Sequence, residues 1–327
     1  MYAHPMTRRL ALAAAATVVA GSAWAQAAWP TKPITLIVPF PPGGPTDVVS
    51  RIVGKELSDR LGQPIIVENK SGASGAIAAG QVKRAAPDGY TLMTLATPTL
   101  FAPLFYKNTG YEVTQDFTPI AMIYDLPIVM VVNPEKLPGV TTLQQLIDTA
   151  RAQKGALNYT TSGAGSFGHM SMELLKELGK FDMQHVAYKG GVPAITDTIG
   201  GQVPIMYADL VAALPHIKSG KLVAVAVGSP ERVAMIPEVK TIAEQGIHGF
   251  SAVSLGAFLG PKGLPPAVVE RLNKELKEIL SQKAVQDRIL GAGAIARYLP
   301  AAQLQQSLTT DYAKWSKVVR EKGMAAE

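Results

Sequence analysis

Leu157-Asn158-Tyr159-Thr160-Thr161-Ser162-Gly163-Ala164-Gly165-Ser166-Phe167-Gly168-His169-Met170 reads as a short strand, a glycine-rich turn and the opening of a helix, in that order. Ser166 stands where an N-cap belongs, ahead of Met170, Leu174, Leu175 and Leu178 at helical spacing. The same grammar repeats outward from this point. Strands are predicted at Ile34 to Pro39, Ile65 to Glu68, Thr91 to Ala96, Leu157 to Thr161, Gln184 to Tyr188, Val203 to Tyr207 and Leu222 to Val227. Helical stripes fall between and after them: Val49, Ile52, Val53, Leu57 and Leu61; Leu143, Leu146, Ile147 and Ala150, opened by a Thr142 and Gln145 capping box; Val268, Val269, Leu272, Leu276, Ile279 and Leu280; and a last helix ending around Trp315 to Arg320. Strands alternating with helices imply an α/β chain with parallel sheets.

Two stretches break that rhythm. Ile120 to Asn133 and Phe250 to Gly260 are long, apolar and without a helical period. A strand of about fourteen residues, at roughly 3.3 Å each, can run out of one sheet and into another. Read as crossovers, they divide the chain into a discontinuous domain, 26–125 plus 254–327, and an inserted one, 126–253, with a ligand cleft between them. The competing reading makes both of them long core strands of one sheet.

The 327 residues include 31 Lys+Arg against 25 Asp+Glu, no cysteine, and 47% hydrophobic residues with 17% charged. Such a chain is too apolar to be disordered. Without cysteine there is no disulfide scaffold, thiolate metal site or thiol nucleophile. The basic excess is dispersed, with no run longer than the pairs Arg8-Arg9 and Lys83-Arg84, which argues against nucleic-acid binding. Arg8-Arg9, the apolar run Leu10 to Ala20 and Ala23-Trp24-Ala25 form the three regions of a secretory signal, too short to span a bilayer of about 30 Å. Cleavage is expected near Ala25. Residues 1–25 hold two arginines and no acid, so the remaining 302 carry +4. With no lipobox cysteine and no anchor, the expectation is a freely diffusing monomer in a Gram-negative periplasm, without stable membrane insertion.

Three turns at strand ends are glycine-rich: Phe40-Pro41-Pro42-Gly43-Gly44-Pro45-Thr46-Asp47, Asn69 to Gly75, and Thr160 to Gly168. Each opens a helix, where unpaired backbone N–H groups and about half a positive charge face outward and can hold an anion without a cationic side chain. The glycines can equally be plain tight turns. Gly163-Ala164-Gly165-Ser166-Phe167-Gly168 fits the dinucleotide pattern, but Tyr188-Lys189-Gly190 stands where the pattern needs an acid. Ala164-Gly165-Ser166-Phe167-Gly168 is a near-match to a nucleophile elbow, with His216 or His248 further on, so a periplasmic serine hydrolase using Ser166 is the enzyme alternative. His169 and Glu173 share a helix face but lack a third metal ligand. No catalytic constellation emerges, and neither cofactor nor metal is expected.

Read as an ordered set, Pro41-Pro42-Gly43-Gly44 with Asp47, Leu61-Gly62-Gln63-Pro64, Ala86-Pro87-Asp88-Gly89-Tyr90, and Ser162-Gly163-x-Gly165-Ser166-x-x-His169 resemble the Bug family, also called TctC. Tyr188-Lys189-Gly190, Gly200-Gly201-Gln202-Val203, Leu214-Pro215-His216 and Trp315-x-Lys317-Val318-Val319 continue the likeness to the end of the chain. These are the extracytoplasmic receptors of tripartite tricarboxylate transporters. The resemblance implies a two-domain Venus-flytrap fold of the type II kind, with two mostly parallel sheets joined by two crossover strands. It further implies a small carboxylate ligand and tripartite membrane subunits as partners; a sensory binding protein is a third possibility. The implied ligand-binding residues are Phe40, Pro42, Gly43, Gly44, Asp47, Ser162, Gly163, Gly165, Ser166 and His169, to which Thr97, Thr99, Tyr207 and Asp209 are added as candidate lining. Where many members carry Asp-Asn, this chain has Ala208-Asp209, so the acid has shifted by one place or the pocket is remodelled.

Overall fold

The computed structural model describes residues 29–324. The expected signal segment and its cleavage site lie outside them. The chain alternates β1 (Ile34–Val38), α1 (Pro45–Leu61), β2 (Ile65–Asn69), α2 (Ala76–Lys83), β3 (Thr91–Ala96) and α3 (Thr97–Phe105), then passes through α4 (Val113–Asp116) into a long β4 (Phe117–Val132). There follow α5 (Leu143–Ala152), β5 (Asn158–Thr161), α6 (Phe167–Gly179), β6 (Gln184–Ala187), α7 (Gly191–Ile199), β7 (Ile205–Asp209), α8 (Leu210–Lys218) and β8 (Val223–Val227). The chain ends through β9 (Val253–Pro261), α9 (Pro266–Leu280), α10 (Lys283–Gly291), β10 (Ile295–Pro300) and α11 (Ala301–Glu321).

Among the described residues ten strands join in the order β2-β1-β3-β9-β4-β7-β5-β6, with β8 and β10 both paired to β4 off that path. The flanks are parallel, β1 with β2 and β3, and β5 with β6 and β7. Every pairing of β4 and β9 is antiparallel. The crossover reading of Ile120 to Asn133 corresponds to β4, which changes partners along its length. Phe117 to Pro127 pair with β9, and Ala121 to Asp125 also with β10. Ile128 to Val132 pair with β7, and Val129 to Val132 also with β8. Pro127 brings no N–H to the ladder at the switch between these partner sets.

Side-chain alternation sends the two faces of β4 into different cores. Val129 and Val131 pack with Met206, Ala208 and Val227, whereas Met130 and Val132 face Tyr159, Leu146 and Ile205. On the other side, Ile34, Leu36, Val49, Val53 and Leu57 of β1 and α1 meet Leu272, Leu276 and Ile279 of α9. Both expected helix starts are built as read. Thr142 and Gln145 form a reciprocal capping box, and Ser166 Oγ accepts from His169 N–H at 3.2 Å.

Candidate functional site

A cavity of about 730 Å³ opens at the carboxyl ends of the strands. The junctions β1–α1, β3–α3, β5–α6, β6–α7 and β7–α8 each place residues in its wall: Phe40 and Thr46; Ala96 and Pro98; Ser162 to Gly168; Gly191; and Asp209 with Ala212. Ser74 of the second glycine-rich turn reaches it as well. Five helices therefore begin at one space, and their first N–H groups have no partner within their own helices.

The Ser162 to Ser166 turn is held from behind. Thr161 Oγ1 accepts from Gly163 N–H at 3.3 Å and from Ser166 Oγ at 3.2 Å, and shares a 2.8 Å hydrogen bond with His185 Nε2. Gly165 N–H donates to His169 Nδ1 at 3.1 Å, so that nitrogen is unprotonated and the neutral ring carries its proton on Nε2. The His169 and His185 rings stack at 3.9 Å with 14° between planes. Burial lowers the pKa of His169, with Lys176 adding to the effect and Glu173 opposing it. Burial first, and then the His169 ring, push His185 down to about 4. Two neutral imidazoles thus act as a wedge behind the turn.

The β1–α1 turn is fixed by Asp47. Its carboxylate accepts from Gly43 N–H at 3.0 Å, Arg51 Nε at 3.0 and 3.1 Å, and Asn69 Nδ2 at 2.8 Å, while the same amide donates to Phe40 O at 2.9 Å. Burial opposes ionisation of Asp47, but the hydrogen bonds from Arg51, Gly43 and Asn69 outweigh it and the pKa is lowered. Thr97 Oγ1 accepts from Leu255 N–H at 2.7 Å and ties α3 to β9. Asp47, Thr97 and His169 support the wall without lining it, and Pro42, Gly43, Gly44 and Thr99 also lie outside the lining. Phe40, Ser162, Gly163, Gly165, Ser166, Tyr207 and Asp209 are brought together there.

Other lining residues carried no sequence signal of their own. Phe101 and Phe105 project from α3 and Tyr106 from its C-cap, Leu126 and Ile128 from β4, Met206 from β7, and Ser254 from β9. An apolar residue on a helix or strand reads as core whether it faces a core or a cavity, so only topology could have found these. The two sides of the cavity touch. A Cβ on Gly165 would come within 3.3 Å of the Phe105 ring, and Phe101 stacks on Phe167 at 6.2 Å between ring centroids.

Ser166 works in this wall as the cap of α6. Its hydroxyl accepts from His169 N–H and donates to Thr161, and no imidazole nitrogen accepts its proton. Glu173 is engaged by Tyr159 OH at 3.0 Å and Lys176 Nζ at 2.8 Å, and no group of three potential metal ligands occurs among the described residues. A profile described as Tripartite tricarboxylate transporter family receptor, TctC, matches residues 49–324. The chain belongs to the TctC receptor family. It is 36% identical to protein BugT of Bordetella pertussis over 322 residues, 97% of this chain and 98% of that one. A Rhodopseudomonas palustris protein solved with adipate superposes with a TM-score of 0.75 at 32% identity, covering 91% of this chain and all of that one. MatC of the same species, solved with bound malate, gives 0.70 at 32%, over 89% of this chain and all of MatC. The fold is accordingly the two-domain α/β flytrap of periplasmic binding proteins, and TctC receptors are solute-binding proteins, not enzymes. Membership places the chain outside the cytoplasm, and among the described residues no helix is long and apolar enough to cross a membrane.

Proposed function

We propose that this protein is a free periplasmic receptor that captures a small carboxylate-bearing metabolite by closing two domains, 26–125 plus 254–327 and 126–253, and delivers it to tripartite-transporter membrane subunits. The reading includes export by residues 1–25 of a Gram-negative protein and action as a monomer. One observation carries it: five helix N-termini converge on a cavity whose described lining holds no cationic side chain. A carboxylate there is held by the N–H groups of Ala164, Phe167 and Gly168, which have no partner among the described residues while those of Gly163, Gly165 and Ser166 are engaged within the turn, by the Ser162 and Thr46 hydroxyls, and by the N-terminal field of α1. Phe40, Gly163, Gly165, Tyr207 and Asp209 complete the contact set, while Asp47, Thr97 and His169 set the geometry of the turns that Pro42, Gly43 and Gly44 help to build. Adipate and malate in similar proteins support this class of ligand.

The energetics suffice. Micromolar capture needs about 8 kcal/mol. Two or three helix termini at up to about 2 kcal/mol each, with charge-assisted hydrogen bonds at roughly 1.5 to 3 kcal/mol, exceed that before ordering costs are subtracted. A ligand touching residues of both domains has differential affinity for the closed arrangement and shifts the population toward it. The test is thermal unfolding against dicarboxylates, tricarboxylates, amino acids and aromatic acids. A ligand at about 100 times its Kd adds about 2.7 kcal/mol, and so raises the Tm by about 5 to 10 °C. No shift with any acid of the panel removes the proposal.

A further inference from the structure

Asp209 is out of place by the standards of the wall around it. It ends β7 and stands at the N-cap of α8, where a carboxylate normally accepts from the helix's first N–H groups, yet its side chain makes no capping hydrogen bond. Among the described residues it has no ion-pair partner and is the only charged residue lining the cavity. The side chain is open to the water of the cavity and has protein behind it on all sides, which raises its pKa by desolvation. An ammonium group placed against it would favour the ionised carboxylate.

The position of this lone charge matters. Gly168 in the first turn of α6 lies so close to β7 that a Cβ there would stand 3.2 Å from the Tyr207 carbonyl oxygen, two residues before Asp209. The anion-accepting turn Ser162 to Ser166 and the Asp209 carboxylate therefore border the same end of one cavity. An all-anionic ligand would satisfy the turn and meet a like charge at Asp209. A ligand carrying both signs satisfies both. Away from the turn and Asp209, an apolar stretch of wall is formed by Phe101, Phe105, Leu126, Ile128 and Met206.

We infer that the ligand is an amino carboxylate with an apolar body: its carboxylate sits on the Ser162 to Ser166 turn, its ammonium on Asp209, and its hydrocarbon against the α3 aromatics. This rests on the reading of the cavity as a carboxylate site and narrows it. The apolar body is what the stretch of wall formed by Phe101, Phe105, Leu126, Ile128 and Met206 rewards.

The test uses two pairs, L-phenylalanine against phenylpropionate, which lacks the ammonium, and ω-aminohexanoate against adipate, which has a second carboxylate in its place, titrated calorimetrically into the full mature protein and its Asp209→Asn variant at neutral pH. The amino member of at least one pair should bind ten-fold or more tightly than its partner, and the preference should vanish in Asp209→Asn. If the variant does not fold, the wild-type pairs decide alone. Adipate and phenylpropionate both binding as well as their amino partners overturns the inference and leaves the carboxylate receptor standing. So does adipate binding that strengthens as the pH falls, which would mark Asp209 as a protonated donor to a second carboxylate. No binding by any of the four, together with no Tm shift across the wider acid panel, overturns the receptor reading itself and this inference with it.

Discussion

Acidification should loosen the Ser162 to Ser166 turn from behind, through His185. The folded protein holds this imidazole at about 4 rather than 6.5, chiefly by burial and then by the stacked His169 ring and Lys176, with Glu173 acting the other way. The folded pKa is the lower of the two, so the unfolded chain takes up the proton first as the pH falls. The contribution is complete above about pH 6.5 and is lost progressively down to about pH 4. A gap of that size is worth about 3 kcal/mol, and allowing for solvent screening at a partly exposed ring leaves about 2. Total stability alone is a poor readout, because Asp125 acts in the same window with the opposite sign. Burial raises its carboxyl to about 6 against the pull of Arg297, so it gains stability as the pH falls. The informative quantity is the difference between wild type and His185→Gln, whose amide can keep the hydrogen bond to Thr161. Urea unfolding at about pH 7 and about pH 4 should show the wild type losing about 2 kcal/mol more than the variant. Parallel profiles, or a His185 ring that titrates above about 6 by proton NMR, would refute the reasoning.

Three further outcomes are expected. Gly228 N–H donates to Ile128 O and its carbonyl accepts from Ala252 N–H, and a Cβ there would lie 2.1 Å from the buried Tyr207 OH. Gly228→Ala should therefore destabilise by about 2 to 4 kcal/mol, and Tyr207→Phe, nearly neutral alone because that hydroxyl has no partner among the described residues, should restore at least about 1 kcal/mol in a double-mutant cycle. Gly163→Val puts a branched side chain at φ 151° with its Cβ 3.1 Å from Tyr188 O; it should leave a folded protein by circular dichroism and weaken ligand binding at least ten-fold by calorimetry. Asp47→Ala strands the Gly43 and Asn69 donors and the Arg51 guanidinium, and should reduce stability in urea by about 2 to 4 kcal/mol at neutral pH. Because the Asp47 pKa is lowered on folding, its contribution is present above the unfolded value of 3.8 and lost as the pH falls below it, so wild type and variant should converge in acid.

The parallel flanks were legible because each strand there is short, β-branched and followed by a turn and an amphipathic helix. The strands read at Thr91 to Ala96 and Leu222 to Val227 end where β3 and β8 end, and Ile34 to Pro39 ends one residue past β1. Ile295–Pro300 was not read as a strand. Its Arg297 and terminal proline resemble a loop, and it is a strand because it lies antiparallel against β4, a long-range pairing with no local signature. Helix α3 was hidden by Pro98 and Pro103, although the first sits in the opening turn, where its missing N–H is harmless. At the site, the glycine-rich turns announced themselves through composition. The His169 and His185 wedge did not, since sixteen residues separate rings that only β5, β6 and α6 bring into contact. At Asp47 the sequence marked the position but not the hydrogen bonds from Gly43, Arg51 and Asn69 by which it shapes the turn, since Asn69 comes from β2.

The partner switch along β4 also bears on how the molecule comes apart. Each end of this strand is an interior member of the sheet, flanked by β9 and β10 at one end and by β7 and β8 at the other. Neither half keeps a closed set of strands if the other melts, because the same sixteen residues complete both. A protein with two lobes of this design should unfold in one cooperative transition rather than two. A fragment spanning 126–253 would retain only part of β4 and expose apolar edges, so excising a lobe is a route to aggregation rather than to a smaller binding module.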